Sequence, residues 1–94
     1  MPKIEFDVRK SERNARERGL PFDRAVDFEW NDAVVIDDAR RDYGERRLVA
    51  TGYLEGRLHM LCFLRIAKGI RVISLRKANK REVLAYEQAK ATDK

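Results

Sequence analysis

The stretch "RRLVATGYLEGRLHMLCFLRIAKGIRVISLRK" (residues 46–77) decides how this chain folds. Residues 46–54 read as a strand. The "EGR" at 55–57 then makes a tight hairpin connection, with Gly56 free to take positive φ. Residues 57–67 are apolar on both faces, as a central strand covered on two sides should be. "KG" (68–69) turns the chain again, and residues 70–77 form a last strand. Short turns between strands leave only antiparallel pairing.

Upstream, "AVVID" (33–37) is short and β-branched and reads as a further strand. "DARRDYGE" (38–45) is polar, contains Gly44, and reads as a turn or loop. The meander is therefore four-stranded. In "PFDRAVDFEW" (21–30), Phe22, Ala25, Val26 and Phe28/Glu29 fall at helical spacing and predict a short helix. "SERNARERG" (11–19) predicts another, with Ser11 as its cap, Glu12 in its first turn and Gly19 as its stop. That helix is almost wholly polar, so it belongs on the surface. "KIEFDV" (3–8) alternates Ile4, Phe6 and Val8 and predicts an N-terminal strand. Downstream, Asn79 and Glu82 stand three apart in a capping-box arrangement. Val83, Tyr86 and Ala89 form the inner stripe of the final helix, and the 90–94 tail is expected to fray.

The expected fold is α+β, one domain over residues 1–94. It has an N-terminal strand and two helices, a four-stranded antiparallel meander, and a C-terminal helix. Helices are expected to bury one face of the sheet, leaving the other open to solvent or to a ligand.

Composition narrows the partners. The 94 residues are 44% hydrophobic and 39% charged, which suits a globular domain. Lys and Arg number 21 against 16 Asp and Glu, a net charge of +5. Such a balance favours nucleic acid, an acidic protein or a membrane surface. Cys62 is the only cysteine, so no internal disulfide is possible, and its setting in "LHMLCFL" reads as a buried core thiol. "MPKIEFDVRK" has no apolar signal-peptide core. "LHMLCFL" falls far short of the roughly 20 residues that span a bilayer. A cytoplasmic protein with no membrane partner is expected.

Most catalytic constellations are absent. There is no Gly-rich phosphate loop and no Cys/His metal spacing, so no metal or cofactor is expected. A Ser-His-Asp triad would need His59, the only histidine. Alternation places His59 with Leu61 and Phe63, opposite Leu58, Met60 and Cys62. It reads as a structural or edge residue, and as a ligand contact only if its set faces the open side.

The cations are more informative. Arg46 and Arg47 open one strand, Arg57 opens the next, Arg65 lies near its end, and Arg71, Arg76 and Lys77 lie on the last. Pairing around the 68–69 turn sets Arg57 opposite the 75–78 region, so Arg57, Arg76 and Lys77 share one end of the sheet. Alternation sends Arg76 and Lys77 to opposite faces, so at most one of them joins Arg57. Clustered guanidinium groups suit phosphodiester cleavage, whose transition state builds negative charge on phosphoryl oxygens. RNA brings its own nucleophile, the 2′-OH, so a metal is dispensable, and Glu45 or Glu55, near the opening of the meander, are candidate bases. Spacing alone leaves two readings open, an exposed charged rim and a phosphate clamp.

Pieces spread over residues 4–86 resemble the BrnT toxins of bacterial type II toxin–antitoxin modules. They are Phe6-Asp7, Asn14, the run Gly19, Phe22, Ala25 and Phe28, then Gly44, Glu45 and Arg47, Gly52, and Gly56-Arg57-Leu58. Above all, "IRVISLRKA" (70–78) with Glu82 and Tyr86 is similar to a family block. The resemblance implies a RelE-like ribonuclease fold and an RNA-cleaving toxin that inhibits translation; with the dispensable metal read from the residues, a metal-independent endoribonuclease is expected. It also implies a BrnA-like antitoxin with a ribbon-helix-helix part, and operator DNA bound through the complex. On this basis Arg76 and Arg57 are expected to stabilise the transition state, with Glu45 as base. Arg71, Lys77, Arg18, Arg47 and Tyr86 are expected to bind RNA.

The chain departs from the family pattern in places. Glu17-Arg18-Gly19 stands where the family usually carries Lys-His-Gly. "EWND" (29–32) replaces a frequent Asp-Pro, and Leu64 replaces a common Thr. The alternative expectation is a catalytically weak or inert basic module that binds the antitoxin or nucleic acid. A third is basicity that serves solubility alone.

Overall fold

The chain reverses at Glu55 and Gly56, both at positive φ (52° and 77°). This two-residue turn sets Leu54 opposite Arg57, and its handedness matches the twist of the strands it joins. A second tight turn, at Ala67-Lys68, sets Ile66 opposite Gly69. The computed structural model describes residues 3–40 and 42–92. Their elements are β1 (Lys3–Phe6), α1 (Val8–Arg18), a 3-10 helix (Phe22–Asp27), β2 (Glu29–Asp37), β3 (Leu48–Leu54), β4 (Arg57–Ile66), β5 (Gly69–Lys77) and α2 (Lys80–Thr92). The class is α+β, as expected.

Strands β2 to β5 form the expected antiparallel meander. The sheet has five strands, in the order β1-β5-β4-β3-β2. It is mixed, because β1 pairs parallel to β5, with Ile4 opposite Ile70 and Phe6 opposite Val72. Gly69 permits that pairing. A Cβ at this position would collide with the backbone amide and carbonyl of Lys3.

One face of the sheet presents Leu48, Ala50, Leu54, Leu61, Phe63, Val72 and Leu75 to Leu20, Phe22, Ala25 and Phe28. Each fully buried side chain of this kind contributes about 1.5–3 kcal/mol of transfer free energy. The opposite face of β4 carries Leu58 and Met60, which pack against Val83 and Tyr86 of α2. Helices therefore lie on both faces, not on one as expected. The reason is β4 itself: being apolar on both sides, it needs cover on both. Helix α2 covers only part of its face. Beyond it, Cys62, Ser74 and Arg76 line a hollow beside the loop that follows β2.

The segment 21–30 differs from the expected helix. Phe22, Ala25 and Phe28 are 2%, 1% and 4% exposed, whereas Val26 is 50% exposed. A repeat of three is the period of a 3-10 helix, whose side chains eclipse at i and i+3. Glu29 and Trp30 belong to β2, so that strand begins four residues before the expected 33–37 segment.

Helix α1 starts earlier than expected because Asp7, not Ser11, caps it. Its carboxylate accepts from the Arg9 and Lys10 amides at 2.9 and 3.2 Å. Val8 is thereby helical instead of ending a strand. Ser11 is buried within the helix, and its Oγ accepts the Phe22 amide at 2.8 Å. Gly19 does close the helix, at φ 70°. The Asn79–Glu82 capping box forms as expected, each side chain accepting the other's amide, at 2.8 and 2.9 Å. Helix α2 continues through Thr92, into the segment expected to fray, whose residues 93 and 94 lie outside the described ones.

Candidate functional site

Arg76 and Lys77 diverge at the end of β5. Arg76 stands opposite Met60 and Lys77 opposite His59, so a two-residue period puts them on different faces. Arg57 lies one position beyond the hydrogen bond from the Ala78 amide to the Leu58 carbonyl. It lines a hollow with Asn79 and Lys80, which Arg76 does not line.

Arg76 is held from the other end of the 78–79 connection. Its Nη1 and Nη2 donate to the two carboxylate oxygens of Glu82, each at 2.8 Å. This fork geometry is specific to Arg. The bonds from Arg76 are the main reason the Glu82 carboxyl sits below its ordinary range. Glu82 is also the acidic half of the capping box, so one carboxylate fixes both the helix start and the guanidinium.

Two hollows meet at Arg76. The first lies along the free edge of β5. Strand β1 stops at Phe6, opposite Val72, so it does not pair with β5 beyond that point. Helix α1 runs there instead, and Asn14 Nδ2 donates to the Leu75 carbonyl at 2.9 Å and to the Leu20 carbonyl at 2.6 Å. That side chain satisfies a strand-edge carbonyl that would otherwise stay unpaired. The groove is lined by Lys10, Arg13, Glu17, Arg18, Ser74 and Arg76, among others. Arg18 and Arg76, both expected site residues, are thus brought together. Lys10 and Arg13 were missed because the helix read only as a polar surface. Their signal is spacing: 10, 13 and 17 fall on one helical face.

The second hollow opens on the α2 side of the sheet and includes Asp38, Arg40, Cys62, Ser74, Arg76 and Glu82. The Asp38 side chain is 1% exposed. It accepts from Arg40 Nε and Nη2 at 2.8 and 2.7 Å, and these bonds hold its carboxyl down to about 2. Cys62 Sγ lies 3.8 Å from Asp38 Oδ2. Burial, then the Asp38 charge, pushes the thiol up, which disfavours the thiolate a nucleophile needs. Cys62 is buried, as the sequence implied.

The other expected site residues lie elsewhere. Arg71 pairs with Glu5 across the β1–β5 seam at 3.1 Å. Glu45 pairs with Arg47 at 2.9 Å, and the Arg47 guanidinium sits 4.1 Å over the Tyr43 ring. Glu45 lines a separate hollow with Arg46 and Arg65. Tyr86 is 7% exposed, and its hydroxyl donates to the Asp32 carbonyl at 2.8 Å. His59 is 4% exposed, and its Nδ1 donates to the Arg57 carbonyl at 2.8 Å. Its set faces the main core, so the ligand-contact reading of His59 does not apply.

Among the described residues, no group of three or more His, Cys, Asp or Glu is placed to hold a metal ion. No described helix is long and apolar enough to cross a membrane. No match is found among the curated proteins. A family model described as the ribonuclease toxin, BrnT, of type II toxin–antitoxin systems matches residues 6–82. That span reaches from the strand before the α1 cap to the carboxylate that holds Arg76, and it covers most of the chain. The chain therefore belongs to the BrnT family of ribonuclease toxins of type II toxin–antitoxin systems.

Proposed function

We propose that this protein is an endoribonuclease that holds RNA across the free edge of β5 and cleaves it at Arg76 without a metal. The observation that carries this reading is the meeting of two hollows at a carboxylate-oriented guanidinium, with Lys10, Arg13 and Arg18 lining one of them.

In this reaction the RNA 2′-oxygen attacks the adjacent phosphorus. The P–O2′ bond forms as the P–O5′ bond breaks. The 2′-OH proton passes to a base, and the 5′-oxygen takes a proton from water as it leaves. A 2′,3′-cyclic phosphate and a 5′-OH result. Arg76 stabilises the charge that develops on the phosphoryl oxygens, and Glu82 holds it in place beforehand. Arg18, Lys10 and Arg13 grip the backbone on the α1 side. Glu17 is the carboxylate that shares their groove, and it takes the role of base in place of Glu45, which is bonded to Arg47 in another hollow. Arg57 and Lys77 extend the cationic rim at the far end of β4 and β5. Arg71 extends it along β5.

The family supports the wider setting. It implies an RNA target and an antitoxin that neutralises the toxin. We assign the finer features to the same reading: a RelE-like fold, inhibition of translation in the cytoplasm, a BrnA-like ribbon-helix-helix antitoxin, and operator DNA bound through the complex.

The test is RNA cleavage by antitoxin-free protein in EDTA. The wild type should cleave, and Arg76→Ala should lose about 100- to 1000-fold in rate. Undiminished cleavage by a folded Arg76→Ala protein would overturn the assignment. One observation favours a second reading, an inert binding module. Arg18 stands where the family carries His, and the only histidine is buried in the main core. Tight, salt-sensitive RNA binding with no cleavage in any buffer would select it.

A further inference from the structure

Arg40 is built into the second hollow much as Arg76 is. A carboxylate chelates each guanidinium, Asp38 for Arg40 and Glu82 for Arg76. The two anchors differ in burial. The Asp38 side chain is 1% exposed, yet the Arg40 side chain is 70% exposed. A buried anchor with an exposed head group presents a charge at low entropic cost, because the long side chain is already ordered. The anchor is itself braced. The Asp38 amide donates to the Arg47 carbonyl at 2.8 Å, fixing the strand end, and the Arg40 amide lies 3.3 Å from Asp38 Oδ1.

The free donors point to an anion. Arg40 commits Nε and Nη2 to Asp38, so its Nη1 edge is turned away from the anchor. Arg76 commits both Nη atoms to Glu82. The Glu82 bonds strengthen the hold of Arg76 on its proton, and the charge of Arg40 opposes them only slightly. Both arginines line one hollow, whose carboxylates are each engaged by a guanidinium: Asp38 by Arg40, Glu82 by Arg76 and Asp37 by Arg46. The hollow also has a direction: Ser74 and Arg76 line both it and the α1 groove. A chain leaving the groove past Arg76 enters the space in front of Arg40.

We infer that Arg40, positioned by Asp38, binds a second backbone phosphate of the RNA, one that flanks the scissile phosphate at Arg76. The strand runs from the α1 groove, over the free edge of β5, onto the α2 side of the sheet. This rests on the nuclease reading above and adds a substrate-binding residue to it.

The test uses the full chain and a ten-nucleotide single-stranded RNA, methylated at every 2′-oxygen so that it cannot be cut. Binding is followed by anisotropy across a salt series. Arg40→Gln should bind about tenfold more weakly. Its log-log salt slope should shrink by about 0.7, the contribution of one phosphate on a single strand. Arg40→Lys should recover the slope with only part of the affinity. With an unmodified dinucleotide, which has no flanking phosphate, Arg40→Gln should lose less turnover than it loses with an unmodified ten-nucleotide RNA. The exposed side chain makes a folding failure easy to detect by melting. Asp38→Asn, which keeps Arg40 but loosens it, should weaken binding with little change in slope.

The outcomes separate the two claims. If wild type cleaves RNA and Arg40→Gln keeps the wild-type affinity and slope, the subsite is wrong and the nuclease stands. If wild type never cleaves but Arg40→Gln flattens the slope, the subsite stands and the nuclease reading falls.

Discussion

Arg76 and Glu82 meet through two parallel bonds of 2.8 Å, and the same Glu82 carboxylate accepts the Asn79 amide at 2.9 Å. The end of β5 and the start of α2 are therefore locked through one side chain. The arginine is 36% exposed, enough to reach a substrate, while the carboxylate behind it is 24% exposed.

Glu82→Gln separates the two duties of that side chain. Gln also serves in a capping box, so the helix start should survive. The charged partner of Arg76 is lost. Stability should fall by less than about 1 kcal/mol, while RNA cleavage falls by about 10- to 100-fold through misplacement of the guanidinium. Glu82→Ala should lose the cap as well and melt lower still. Wild-type turnover by Glu82→Gln would show that Arg76 needs no orientation.

Tyr86 is predicted to act through packing. Tyr86→Phe keeps the ring against Tyr53, which meets it edge-on at 5.9 Å between centroids, and removes only the bond to the Asp32 carbonyl. The loss should be about 1 kcal/mol with RNA affinity unchanged. Tyr86→Ala should cost about 3 kcal/mol or more, as for other buried aromatics. Chemical denaturation and RNA binding, measured side by side, decide whether the residue touches substrate.

Asp38 predicts an acid limb in the stability profile. Its carboxyl is lowered from 3.8 to about 2 by Arg40. A carboxyl depressed on folding stabilises the fold above its unfolded value, and that contribution is lost as pH falls from about 5 toward 2. Melting temperature should drop over this window. Asp38→Asn should be less stable at pH 7 and show a shallower drop. A profile with the same slope in both proteins would remove Asp38 from the account.

Gly69→Ala should break the β1–β5 seam. The new methyl group would meet the Lys3 backbone, which has no flexible end to swing aside. The Lys3 amide, which donates to the Lys68 carbonyl at 2.9 Å, must then move. A loss of about 1–3 kcal/mol is expected for such overpacking. Amide exchange should speed up first at Ile4 and Glu5. Retained protection there would mean that β1 tolerates the displacement.

The meander, its tight turns, the capping box and the divergence of Arg76 from Lys77 were all legible in the sequence, because each depends on residues close along the chain. A two-residue period divides neighbours between faces, Gly56 accepts positive φ, and Asn79 reaches Glu82 three positions on. The 3-10 helix was legible in part: Phe22, Ala25 and Phe28 carry its period of three, but Val26 suggested a wider helical stripe that packing against the sheet did not use. The cap of α1 turned on a competition between Asp7 and Ser11. Phe22, eleven residues beyond Ser11, settled it by giving that hydroxyl a buried amide to accept. Tertiary structure alone decided that α2 covers the face opposite the 3-10 helix and that β1 joins β5 in parallel. It alone brought Lys10, Arg13 and Arg18 to the same edge as Arg76, and Arg40 to the hollow on the other side of that residue. Those relations join residues tens of positions apart, through apolar faces that had to be covered and strand edges that had to be satisfied, and no local period records them.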